Sequence, residues 1–171
     1  MDQECDPLVV SLVVQLVGAH GTAAHLERLR PLLSSPNLRV VANAVEAMGR
    51  LDAGAARPIV LPYLVAEDPR VRANVLLVLA PVWKEEVLGY LGGMSRAPKE
   101  SYRASAVWCL GQLPWAEADE VLAARLVSEE SSDLRESIAR VFRDRRDAGS
   151  LDALCRAMHD HPRHAPAIRE L

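Results

Sequence analysis

The chain has 171 residues, half of them hydrophobic, with aromatics at only 4%, a single Phe and a net charge of −3. That length suits one compact domain or one short repeat array, and a core of Leu, Val and Ala suits packed helices better than an aromatic-rich sandwich. The slightly acidic balance argues against a dedicated nucleic-acid binder. Three scattered cysteines, Cys5, Cys109 and Cys155, with no Cys-x-x-Cys, argue against a disulfide framework or a zinc knuckle.

Residues 1–6 are acidic and do not form the positive start of a signal peptide. The apolar run 8–17 is broken by Ser11 and Gln15 and stops at Gly18, too short to span a bilayer. It reads as a first helix, and a reducing, cytoplasmic location is expected. The next helical stretch reveals a repeat. Residues 39–48 match residues 70–79 without gaps at a shift of 31, with four of ten positions identical. The same shift carries Arg72 onto Arg103 and Leu79 onto Leu110, and a shift of 32 carries Arg103 onto Arg135 and Ser105 onto Ser137. Backwards, Val40, Val41 and Gly49 fall on Val9, Val10 and Gly18; Gly18, Gly49 and Gly111 share one repeat position, with Ala80 as the fourth member.

Each unit reads as a helical hairpin. The first helix carries apolar residues at helical spacing, as in Val71, Val75, Val78 and Leu79, and a Gly or Pro turn follows it. The second helices are predicted near 25–33, 56–64, 83–91, 116–126 and 151–158. Ser35-Pro36 and Asp68-Pro69 place a capping side chain before a proline, and Ser132 or Asp133 is expected to cap the fifth unit. The expected units are about 7–34, 36–66, 68–96, 98–128 and 130–159, with a partial helix over 162–171. A lone hairpin cannot bury its apolar faces, so neighbours must stack into an all-α solenoid of about five units. The first unit is unusually apolar for an end of such an array, which makes an exposed end a candidate homodimer surface.

The segments Asp68-Pro-Arg-Val-Arg-Ala-Asn74 and Arg39-Val-Val-Ala-Asn-Ala-Val-Glu-Ala-Met-Gly49 resemble HEAT repeats of the short bacterial form also seen in phycobilin-lyase-like proteins. The resemblance implies a right-handed superhelix whose second helices line a concave, partner-binding face. Carried over, the contact residues are the polar and aromatic ones off the apolar stripes. They are Arg28, Arg57, Tyr63, Lys84, Glu85, Tyr90, Glu117, Glu120, Arg125, Asp152 and Arg156, with Glu27 and Arg30 beside the first. Mixed charge with two tyrosines suits a protein partner, with no nucleic acid and no membrane. The resemblance also offers two alternatives, chromophore handling like a phycobilin lyase and DNA binding like a HEAT-fold glycosylase.

The remaining clusters weigh toward structure. His159, Asp160, His161 and His164 are potential metal ligands, yet Pro162 interrupts helical spacing and Arg163 adds a cation, so a capping turn is expected and no metal or other cofactor. Arg72, Arg103 and Arg135 are expected to form an inter-repeat ladder with Asp68, Glu100 and Asp133. Arg140, Arg143, Arg145 and Arg146 read as a solvated helix end, Trp83 and Trp115 as gap fillers, and Trp108 as core. No nucleophile elbow, P-loop or His-Glu-x-x-His occurs, so a non-catalytic scaffold or adaptor is expected.

Overall fold

The computed structural model describes residues 6–161, which hold nine α-helices and no strand. Residues 1–5 and the expected partial helix over 162–171 lie outside that range. The chain divides into two compact units, Met1–Val87 and Leu88–Leu171. Each stacks helices side by side on the plan of an all-α solenoid.

In the first unit α1 (Pro7–His20) starts from Asp6, whose carboxylate accepts from the Leu8 amide with Pro7 at the first helical position. The second segment of this hairpin is a run of helical turns over 23–34. One α-turn, α2 (Leu26–Leu29), lies between 3₁₀ pieces Ala23–His25 and Arg30–Ser34. Pro31 has no N–H to donate four residues back, which favours the tighter turn. Pro62 recurs 31 residues later, in the 3₁₀ piece Leu61–Val65.

Helix α3 (Leu38–Val60) holds both arms of the next hairpin. Asp52, at φ −165° and ψ 99°, breaks it into arms 38–51 and 53–60, and its carboxylate caps the second arm by accepting from the Ala55 amide. The second arm therefore begins earlier than the predicted 56. Asn37, not Ser35, caps α3 by accepting from the Arg39 amide, while Ser35 Oγ accepts from the Asn37 amide. Helix α4 (Pro69–Leu79) starts as expected, with Asp68 Oδ1 accepting from Arg70 and Val71.

Helix α3 packs against α1 on one side and α4 on the other. Small residues permit close approach. A Cβ on Gly18 would stand 2.8 Å from the Ala47 Cα, and one on Gly49 would stand 2.5 Å from a Val78 methyl. Asn43 and Asn74, both buried, donate from Nδ2 to the carbonyls of Ser11 and Ala42 in the preceding helix, at 3.5 and 2.7 Å. The repeat period is thus written in the core as one glycine contact and one asparagine bond per step.

Helix α5 (Lys84–Ser95) spans the division between the units. The second unit continues with α6 (Glu100–Gln112), α7 (Ala116–Ser128), α8 (Ser132–Arg145) and α9 (Ala148–Asp160). Here α6 packs on α8 and α7 on α9. The glycine contact recurs, a Cβ on Gly111 meeting a Val141 methyl at 2.9 Å. Ser131, not Ser132 or Asp133, caps α8 by accepting from the Leu134 amide, and Arg146 closes it in the left-handed region at φ 53°.

Trp108 corrects a sequence expectation: it is 41% exposed. The buried face of α6 is Ser105, Ala106, Val107, Cys109 and Leu110, and position 108 falls on the far side of that stripe. Trp83 and Trp115 are half-buried.

Candidate protein-docking groove

The second helices of the second unit form two adjoining grooves. One, of about 400 Å³, lies between α5 and α7 and is lined by Leu88, Ser95, Arg96, Glu117, Val121 and Arg125 among others. The other, of about 420 Å³, lies between α7 and α9 and is lined by Val127, Ala153, Arg156, Ala157, Asp160 and His161. Glu120 and Ala124 line both. The depth has a simple cause. Ala124, Ala153 and Ala157 supply helix surface without side-chain volume, the last two at i, i+4 on one face of α9. Long polar side chains stand at the rim, where Arg156 Nη2 and Glu120 Oε1 are 3.4 Å apart, each about 60% exposed. So exposed a pair holds only weakly and can be exchanged for a ligand's charges.

Of the residues expected at a contact face, Glu117, Glu120, Arg125 and Arg156 come together here. Tyr90, half exposed, and the exposed Asp152 line neither groove. In the first unit Arg28 is exposed on α2, Arg57 and Tyr63 are half-buried, and Lys84 and Glu85 are exposed in the first turn of α5. Glu27 and Arg30 form an exposed pair at 3.5 Å. Selection by polarity and aromaticity misses Ala124, Ala153 and Ala157; alanines on a second helix at four-residue spacing are the signal that finds them.

Arg125 is part of the frame. Its guanidinium lies 3.0 Å from Glu129 and donates to the Ser128 carbonyl at 2.8 Å and the Ser95 carbonyl at 3.5 Å. Glu129 is buried between two arginines, Arg103 donating to both its oxygens at 2.9 and 3.0 Å, and it also accepts from the Glu130 and Ser131 amides. Burial alone pushes its carboxyl pKa up. The Arg103 hydrogen bonds, the Ser131 amide and the two positive charges outweigh burial and hold it at about 2. The hydrogen bond to Glu129 in turn raises the Arg103 pKa.

The expected arginine ladder therefore takes another form. Arg72 and Arg103 each donate to a carbonyl six residues back, Ala66 and Ala97. Asp68 serves as a helix cap, Glu129 rather than Glu100 is the hydrogen-bonded carboxylate on Arg103, and Arg135 is exposed.

A second buried network anchors the α6–α8 side. Arg145 pairs with the buried Asp119 of α7 and donates from Nη2 to the Leu110 and Leu113 carbonyls, both at 2.8 Å. It closes the C-terminus of α6 and is not the solvated end expected from its arginine-rich neighbourhood. Burial lowers its pKa. Ser150 Oγ lies 2.6 Å from Asp119 Oδ2 and 2.7 Å from Asp147 Oδ2, tying α9 to the same point. The Ser150 hydrogen bonds hold the Asp147 carboxyl below its ordinary range.

At the end of α9, Asp160 is the last helical residue and not a turn residue. His159 Nδ1 is 3.1 Å from its carboxylate, and both side chains are exposed. His164 lies outside the described residues. Cys109 is buried, which pushes its thiol pKa up, whereas Cys155 is exposed. Among the described residues no helix is long and apolar enough to cross a membrane.

No curated protein matches the chain. A family model described as HEAT repeats matches residues 1–80, the part that holds the two Asn-to-carbonyl steps. The helical-hairpin architecture and this match agree: residues 1–80 are similar to HEAT repeats.

Proposed function

We propose that the chain is a non-catalytic interaction scaffold that docks a segment of another protein in the paired grooves over α5, α7 and α9. The observation that carries this reading is the continuity of the two grooves through Glu120 and Ala124. An apolar floor with a mixed-charge rim suits a peptide or helix that seats small apolar side chains and meets the rim charges with its own. HEAT-repeat proteins commonly act as scaffolds, which supports the same conclusion by analogy of fold. A cytoplasmic setting suits the reduced cysteines, Cys109 and Cys155.

The test places a photo-crosslinking residue at Ala124 in the source cell and, as a control, at the exposed Glu136 on α8. The reading expects a partner crosslinked at position 124 alone, whose purified form loses binding to Ala124→Arg in titration calorimetry. Ala124 is exposed, so the arginine fills the groove without disturbing the core. Equal crosslinking at both positions, or a partner indifferent to Ala124→Arg, overturns it. The phycobilin-lyase resemblance supplies a competing outcome: an absorbance change on adding a bilin, abolished by the same substitution, would identify the grooves as a chromophore site.

A further inference from the structure

The outward face of α1 carries Leu8, Val9, Leu12, Val13 and Leu16, each between 47% and 60% exposed, while Ser11, Val14 and Gly18 face α3. From Pro7 to Ala19 the helix has no charged side chain. Five such residues offer on the order of 400–500 Å² of contiguous apolar surface, the size at which a patch on a soluble protein marks an interaction site.

The repeat register narrows what can cover it. A shift of 31 carries Val9, Leu12, Val13 and Leu16 onto Val40, Asn43, Ala44 and Ala47, the face by which α3 meets α1. One step on, the same positions are Val71, Asn74, Val75 and Val78, where α4 meets α3. Inside the array this face carries an asparagine that bonds the preceding helix, and a residue no larger than valine where that helix's glycine approaches. On α1 the asparagine position is Leu12, and the position that meets the preceding helix's glycine inside the array, Ala47 and then Val78, is Leu16. The face has lost the register bond and gained bulk, so it is not shaped to receive another repeat in the same way.

The outward face of α8 is the alternative mate for a head-to-tail stack. It exposes Arg135, Glu136, Arg140 and Arg143, and an apolar helix laid over it would strip those charges of water without apolar contact in return. A two-fold pairing of α1 with α1 has no such cost. Symmetry sets like against like, and a face without charges has nothing to repel.

We propose that α1 is a self-association surface through which two copies pair across a two-fold axis near Leu12. The Leu8 end of one helix lies against the Leu16 end of the other. The area buried, roughly 1,000 Å² over both copies, sits at the lower edge of specific interfaces, so the dimer is reversible and concentration-dependent. This surface is separate from the paired grooves, and its test does not depend on them.

Sedimentation equilibrium of the full chain over a wide concentration range tests it. The mass rises from that of one chain, 18.7 kDa, toward twice that value and no further. Leu12→Glu, at a half-exposed position, weakens association at least tenfold with an unchanged helical spectrum. Leu12→Lys alone does the same, and an equimolar mixture of the two variants regains it. A monomer at every concentration overturns the proposal, as does growth beyond two chains. So does dimerisation indifferent to Leu12→Glu, or a mixture that fails to recover. Binding of the monomer to neutral lipid vesicles, lost in Leu12→Glu, would assign the face to a membrane surface and also overturn it.

Discussion

Asn74 donates from Nδ2 to the carbonyl oxygen of Ala42 at 2.7 Å, joining α4 to α3 inside the core. Asn43 makes the equivalent bond to Ser11 one step earlier, stretched to 3.5 Å. A buried amide so placed reports register, because a slip of one residue leaves its donors facing apolar side chains. Asn74→Ala is expected to cost about 1–2 kcal/mol and Asn43→Ala less, since the shorter bond contributes more. Asn74→Asp should cost more than either, because it sets a carboxylate against a carbonyl. Urea denaturation of the three variants checks the order; a larger loss at Asn43 than at Asn74 would reverse the ranking drawn from the distances.

The glycine contacts give a ranking of their own. Gly18 faces the backbone of Ala47, which cannot rotate away, whereas Gly49 faces a valine methyl that can partly yield. Gly18→Ala is expected to lose about 1–3 kcal/mol to overpacking, with Gly49→Ala below it. Gly89 lies in the middle of α5 with open space around its Cα, so Gly89→Ala should gain about 0.5–1 kcal/mol from helix propensity and reduced freedom of the unfolded chain. Thermal melts of the three side by side should show opposite signs for positions 18 and 89.

Much of this fold was legible because the period of 31 and the helix caps are local signals. Asp68 caps α4 as its sequence position predicts, and the Gly18 and Gly49 positions turn out to be the contact points between successive helices. What stayed hidden depends on groups distant in the chain. Arg145 looks solvated among its charged neighbours until the end of α6, some 35 residues upstream, folds against it. Glu129 looks like one acid in a polar turn until Arg103 reaches it from α6. The grooves are absent volume over alanines, and a search for chemically active side chains passes over them.

Glu129 makes stability in the second unit depend on pH in a defined direction. Its folded pKa, about 2, lies below its ordinary 4.5. Its contribution is therefore complete above about 4.5 and is lost as pH falls toward 2, on the order of 3 kcal/mol in all. Wild type and Glu129→Gln compared by urea denaturation should differ most at neutral pH and converge near pH 2. A difference that stays constant across that window would mean that the glutamine replaces the carboxylate's hydrogen bonds and that the charge itself contributes nothing.

Arg145 offers the sharpest test of the frame behind the grooves. Removing it leaves Asp119 buried without its cation and frees the Leu110 and Leu113 carbonyls at the end of α6. Loss of one partner of a buried pair costs about 3–5 kcal/mol, so Arg145→Ala should be among the most damaging substitutions in the second unit. Arg145→Lys should recover little, because one ammonium cannot reach the carboxylate and both carbonyls in the geometry of a planar fork. Asp119→Asn removes the stranded charge, so the double variant Asp119→Asn with Arg145→Ala should lose less than the two single losses added together. Hydrogen exchange locates the effect: amides at the C-terminal turn of α6 should lose protection in Arg145→Ala. The Ser150 link to Asp119 joins α9 to the same point, so the wall of the α7–α9 groove should loosen with it. Strict additivity in the double variant would mean that Asp119 is held by Ser150 alone and that Arg145 serves only as a helix cap.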